Sequence, residues 1–209
     1  MIIAPSDIPV HGAGQTVGGN TRRTTASLCS MTTEEVDDEM VLQVISSPEG
    51  LGLLQPGKAK HYYSSGAFNL IQLVLYILKQ TGPARVFLAT YSISDRSITT
   101  LRNHVDDGQI LSIRFLIDNR VRTISPKPFD HLLTAFPGQT RCRTLHAKVA
   151  LVWNNSWHIS VVGSQNATHN PKLERGIIHT SKEIFDFDKD VLEDEFEHGT
   201  IEGTGGLRL

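Results

Sequence analysis

With 209 residues, 39% of them hydrophobic and 20% charged, the chain carries enough apolar material for one substantial core but is short for two. No apolar run approaches the roughly 20 residues needed to cross a bilayer, and no basic stretch followed by an apolar segment marks a secretory leader. Cys29 and Cys142 suggest neither a disulfide framework nor a zinc cluster, so a reducing, cytoplasmic setting is expected.

The net charge of −2 hides an asymmetry. Between residues 110 and 175 nine Lys/Arg stand against Asp118, Asp130 and Glu174, whereas between 182 and 198 eight acids stand against two lysines. A basic middle of this kind concentrates phosphate-bearing substrates. An unevenly charged, solvated surface is the plainer reading of the same numbers.

Residues 1–32 are rich in Gly, Ser and Thr and lack periodicity, which predicts a mobile or poorly packed arm within a segment 1–60. Gly12, Gly14, Gly18 and Gly19 follow no convincing strand and open no helix, so they do not make a phosphate loop. Thr32 and the acids after it predict a short helix reaching about Val44.

The globular pattern begins near Tyr62 and defines a domain over 61–198, with a flexible tail at 199–209. Ser64 or Ser65 is placed to cap a helix over about 66–80, apolar on most faces, that Gly82 and Pro83 stop. Arg85–Tyr91 reads as a buried strand, 94–107 as a helix ended by Gly108, and Ile110–Ile117 as a second strand. A short helix over Phe129–Phe136 follows, then strands at about 140–145, 147–153, 157–163 and 175–180. The last helix covers about 182–196, with Ile184, Phe185, Val191, Leu192 and Phe196 on its buried side. This alternation predicts an α/β fold, a mixed β-sheet flanked by helices on both faces.

The chemistry concentrates late in the chain. Period-2 alternation in a strand starting at His146 puts His146 and Lys148 on one side and Ala147 on the other. A hairpin then brings Gly163-Ser164-Gln165-Asn166 beside them, where Ser164 and Asn166 are placed to donate to phosphate oxygens. Taken alone, such a pair is a strand's solvent face and such a loop is ordinary turn chemistry.

The order His146-x-Lys148, Gly163-Ser164-x-Asn166, Glu174 resembles the signature of the phospholipase D superfamily, and the segment Asn170–Glu174 is similar to its single-copy, bacterial nuclease-like members. The resemblance runs over about residues 62–198. It implies a phospholipase D-like fold and a metal-independent phosphodiesterase, a nuclease acting through a phosphohistidine on His146. It further implies that Lys148 and Asn166 hold the phosphate with help from Ser164, and that Glu174 bonds the other ring nitrogen of His146. An imidazole, with an ordinary pKa of about 6.5, is partly neutral at pH 7 and suits the attack. Lys172, Arg143 and His169 are the neighbouring groups expected to contact substrate.

Family enzymes use two His-x-Lys motifs and this chain has one, so the resemblance implies a homodimer pooling two half-sites. The aspartate usual five residues after the lysine is here Trp153, followed by Asn154 and Asn155; in the family that aspartate supports structure rather than attacking phosphorus. His131, His158 and His179 are read as surface or packing residues, and Trp153 and Trp157 as hairpin packing. No metal or cofactor is expected. DNA or RNA is the expected substrate. A lipid phosphodiesterase is a weaker alternative, because no lipid anchor or basic amphipathic helix is visible. A non-catalytic dimeric module binding nucleic acid or protein is the alternative from another class.

Overall fold

A computed structural model describes residues 38–200. The Gly-rich segment, the first part of the helix expected at 32–44 and most of the expected tail lie outside the described residues. What is described of that helix corrects the expectation: Glu39–Met40 is a strand, β1, and no helix follows it before Pro48. The physical reason is a tertiary pairing. Glu39 meets the buried Lys60 ammonium at 2.9 Å, and β1 runs parallel to β2, Ala59–Ser64.

A 3-10 turn over Pro48–Leu51 separates those two strands. Then come α1 (Leu70–Thr81), β3 (Ala84–Thr90), α2 (Asp95–Asp106), β4 (Ile110–Asp118), α3 (Val121–Ile124) and α4 (Pro126–Ala135). The second half holds β5 (Thr140–Arg143), β6 (Val149–Trp153), β7 (His158–Gly163), β8 (Glu174–His179) and α5 (Lys182–Glu197). All eight strands join one mixed sheet in the order β1-β2-β8-β7-β6-β3-β4-β5. β3, β4 and β5 are mutually parallel, while β3–β6, β6–β7, β7–β8 and β8–β2 are antiparallel.

Alternation along β3 shows why helices must cover both faces. Val86 and Leu88 enter one core with Leu73, Ile77, Ile98 and Leu132 from α1, α2 and α4. Phe87 and Ala89 enter a second, smaller core with Leu151 of β6 and Phe185 and Leu192 of α5. The expected buried side of α5 is thereby narrowed, since Val191 is exposed. No helix among the described residues is long and apolar enough to cross a membrane.

Helix α1 starts later than its expected serine cap. Ser64 is fully buried inside β2 opposite Glu174, so it is unavailable. The cap is Asn69, whose side-chain oxygen accepts from Ile71 N at 3.0 Å and Gln72 N at 3.1 Å, while Gln72 accepts from Asn69 N at 3.0 Å. Gly82, at φ 74°, ends the helix by donating to Leu78 O, a conformation that glycine adopts without strain.

Candidate active site

Because β6 and β8 run against β3 and β7, several polar segments emerge at one edge of the sheet. β3, β4 and β7 end there, at Thr90, Asp118 and Gly163, and β6 and β8 begin there, at Val149 and Glu174. This is the edge where ligands collect in open α/β sheets.

His146 and Lys148 lie in the irregular segment just before β6 and not on the strand itself, a correction to their expected placement. They still converge. Lys148 Nζ is 3.2 Å from Nδ1 and 3.3 Å from Nε2 of His146 and donates to the His146 carbonyl at 2.7 Å. His146 is exposed, whereas Lys148 retains only 8% of its accessibility. Burial pushes the Lys148 ammonium below its ordinary pKa, and the Glu174 charge opposes that fall.

β7 pairs with β6, so the Gly163–Asn166 exit stands beside this segment, with Gly163 N donating to Lys148 O at 3.2 Å. Ser164 donates to one oxygen of Glu174, and Asn170 Nδ2 donates to the other at 2.9 Å. Arg175 N donates back to Ser164 Oγ at 3.0 Å. The expected bond between Glu174 and a His146 ring nitrogen is therefore not made within this chain, where both carboxylate oxygens of Glu174 serve the loop. Asn166 accepts at Oδ1 from Thr90 Oγ1 at 3.5 Å, which leaves its amide group to donate.

Gln165, the variable position of the motif, is the anchor that holds this exit. It is 2% exposed, accepts from Tyr62 Oη at 2.6 Å and donates to Ser64 Oγ and Phe68 O, both at 3.1 Å. Burial pushes the Tyr62 phenol upward, so it stays a donor.

Of the three neighbouring groups expected to contact substrate, Arg143 ends β5 at this edge, opposite Asp118, but its side chain is engaged away from the pocket. Its guanidinium pairs with Glu195 of α5 at 2.5 Å and donates to His198 O, so the acidic helix consumes it. Lys172 is exposed in the loop before Glu174. His169 is exposed in the same loop and lines a cavity beside the site. His131 pairs with Asp95, and the ring of His158 packs edge-on against Phe185.

Two residues at the site carried no motif. Tyr91, directly after β3, sets its ring 5.5 Å from the His146 ring and 5.8 Å from Lys148 Nζ. Arg120 lies 4.8 Å over the same ring and is held there by Asp118, which accepts from Arg120 Nε at 2.8 Å and from Leu145 N at 2.9 Å. Burial pushes the Asp118 carboxyl up, but those bonds outweigh it and hold its pKa below the ordinary value. Asp118 thus ties the arginine to the segment carrying His146. The sequence signal was the charged Asp118-Asn119-Arg120 cluster closing an apolar strand.

Trp153, in the position of the family's aspartate, stands at the far end of β6, five residues or about 17 Å of strand from Lys148. It packs on Phe185 at 5.7 Å between ring centroids. Next to it Asn154 ties the hairpin turn to the end of α1, donating to Thr81 O at 3.0 Å and accepting from Ser156 N and Trp157 N. Trp157 packs against the larger core. Among the described residues no group of three His, Cys, Asp or Glu is placed to hold a metal ion.

Neither a family model nor a curated protein matches the sequence. Solved structures do. The chain is similar to Nuc from Salmonella typhimurium, a phospholipase D family member, with a TM-score of 0.52 and 15% identity over 68% of this chain and 96% of that one. It is also similar to a polyphosphate kinase from Porphyromonas gingivalis, with a TM-score of 0.51 and 12% identity over 70% of this chain and 27% of that one. At such identities the likeness speaks for the backbone. The mixed eight-stranded sheet, its helices on both faces and these structural matches make the chain an α/β protein of phospholipase D-like fold.

Proposed function

We propose that the chain is a metal-independent phosphodiesterase that cleaves nucleic acid, with His146 as its nucleophile. The observation that carries this reading is the contact of a buried ammonium, Lys148, with both ring nitrogens of an exposed imidazole. A neutral imidazole carries a lone pair on one of its two ring nitrogens, and the ammonium beside it supplies positive charge where a phosphate would dock. Phosphodiester cleavage needs such a lone pair, positive charge for the non-bridging oxygens and a proton for the leaving oxygen.

His146 attacks phosphorus, the bond to the leaving oxygen breaks, and water then hydrolyses the phosphohistidine. Lys148 and the amide of Asn166 hold the non-bridging oxygens, and Ser164, whose one hydroxyl proton goes to Glu174, shapes the loop between them. Glu174 acts as a positioning residue, fixing Ser164 and Asn170 and offsetting the Lys148 charge. The leaving oxygen takes its proton from His146 of a second copy, because one chain holds a single His-x-Lys motif. The site is accordingly shared across a homodimer. Lys172, exposed in the loop before Glu174, adds positive charge at the rim, which suits a polyanion.

Labelled single- and double-stranded DNA and RNA, incubated in EDTA with wild-type protein and with His146→Ala, test the proposal. Cleavage is expected from the wild type and should fall at least about a thousandfold in the variant. If dimeric wild-type protein cuts none of these substrates, the nuclease reading is wrong. If EDTA abolishes all cutting, the metal-independent mechanism is wrong.

A further inference from the structure

The loop that carries Asn166 borders a second polar concavity. A cavity of about 490 Å³ opens between the first turns of α1 and α2, lined by Gln72, Ser94, Arg96, Thr100 and His169 among others. The helix ends do not supply its donors. Asn69 and Ser94 cap their own helices, so the first-turn amides they engage are already occupied. The available donors are side chains, and the two that carry or can carry charge are Arg96 and His169.

No carboxylate lines this cavity. Asp95, next in sequence to Arg96, turns to His131 at 2.9 Å. Elsewhere Arg102, Arg114, Arg120 and Arg143 each pair with an acid of the same chain. Arg96 is exposed and has no acidic partner among the described residues. A guanidinium left unpaired at a concave, acid-free surface is arranged for an anion.

The cavity is also held in register with the reaction pocket. Ala167, fully buried, accepts from Ser94 N at 3.2 Å and from Ser97 Oγ at 2.7 Å, and donates to Ser92 O at 3.2 Å. One residue earlier, Asn166 O accepts from Leu70 N at 3.1 Å. One short segment therefore presents Asn166 to the reaction pocket and, three residues on, His169 to the cavity. Three residues span at most about 10 Å.

We infer that the Arg96–His169 cavity binds a second phosphate of the strand whose scissile phosphate lies at His146 and Lys148. This rests on the proposed nuclease reading and deepens it by adding a second point at which the strand is held. A phospholipid presents one phosphodiester and makes no use of a second subsite, whereas a nucleic-acid strand presents a phosphate at every residue.

Binding tests the cavity without relying on turnover. The anisotropy of a labelled single-stranded oligonucleotide is titrated with the full chain carrying His146→Ala, alone and combined with Arg96→Ala, Arg96→Lys or Arg102→Ala, over a range of salt. Arg96→Ala should weaken binding about tenfold and lower the slope of log affinity against log salt by about one. Arg96→Lys should recover that slope, and Arg102→Ala, which removes a guanidinium already paired with Asp106, should leave both readouts unchanged. Equal affinity and slope with and without Arg96 would overturn the inference. So would tighter, equally Arg96-dependent binding to anionic phospholipid vesicles, which would point to a lipid. Hydrolysis of bis(4-nitrophenyl) phosphate by the wild-type chain reads the reaction site separately. Its absence, with Arg96-dependent strand binding intact, would sink the phosphodiesterase reading and leave the cavity standing.

Discussion

Lys148 sets the charge balance of the pocket, and its environment pulls it two ways. Burial favours the neutral amine, while the Glu174 charge favours the ammonium; burial is the larger, so the pKa lies below that of a free lysine. Its positive charge is therefore lost, as pH rises, earlier than the ordinary lysine value of about 10.4. Sulfate, whose charge is fixed over this range, should compete with substrate at pH 7–8 and lose affinity with a midpoint below that value. A midpoint at or above it would show that Lys148 is not the desolvated anion ligand described here. In a Lys148→Arg chain, whose guanidinium stays charged, the alkaline loss should vanish even if affinity at neutral pH is lower. The sequence made the proposed site residues legible as one group, because the segments carrying His146, Lys148, Ser164, Asn166 and Glu174 meet at one edge of the sheet. It could not make their partners legible. The Glu174 carboxylate is taken by Ser164 and Asn170, and Arg143 is taken by a glutamate 52 residues away. Tyr91 and Arg120 escaped notice because each reads locally as the end of a strand.

At the scale of elements, the strands and helices with strong periodicity were readable to within a few residues, and the segment before them was not. β2 has only six residues and its pairing with β8 is 114 positions distant in sequence at Tyr62 and Gly176, less at no point than 110. That pairing buries Ser64 and so moves the start of α1 to Asn69. Gly66, between β2 and α1, marks the tightest passage. It sits at φ 75°, and a Cβ there would overlap the backbone of Asn170 and Lys172. Gly66→Ala must therefore strain its own backbone by about 1–2 kcal/mol and displace the loop holding Asn170 and Glu174. The expected outcome is an unfolding free energy, read from urea titration, lowered by at least about 1 kcal/mol together with a loss of cleavage at temperatures where the variant remains folded. Unchanged stability and activity would mean that the 170–172 loop is free to move without consequence for the site.

At the scale of the whole chain, the basic stretch between 110 and 175 does not form one field. The acidic helix α5 neutralises part of it, Glu193 binding Arg114 and Glu195 binding Arg143, while Arg114 and Arg141 also lie over the Phe196 ring. The cations left near the proposed reaction edge are few, and the proposed chemistry calls for two imidazoles where one chain supplies one. On the proposed shared site, a dimer with one His146→Ala subunit holds a single histidine and cannot complete the reaction. When wild-type and His146→Ala chains are unfolded together and refolded as random dimers, activity should then follow the square of the wild-type fraction. An equal mixture should retain about one quarter of the activity of the all-wild-type sample at the same total concentration. Two independent sites per dimer, or active monomers, would give one half instead. The difference between a quarter and a half separates a composite site from a self-sufficient one, and light scattering on the same samples establishes that the dimers being compared are present.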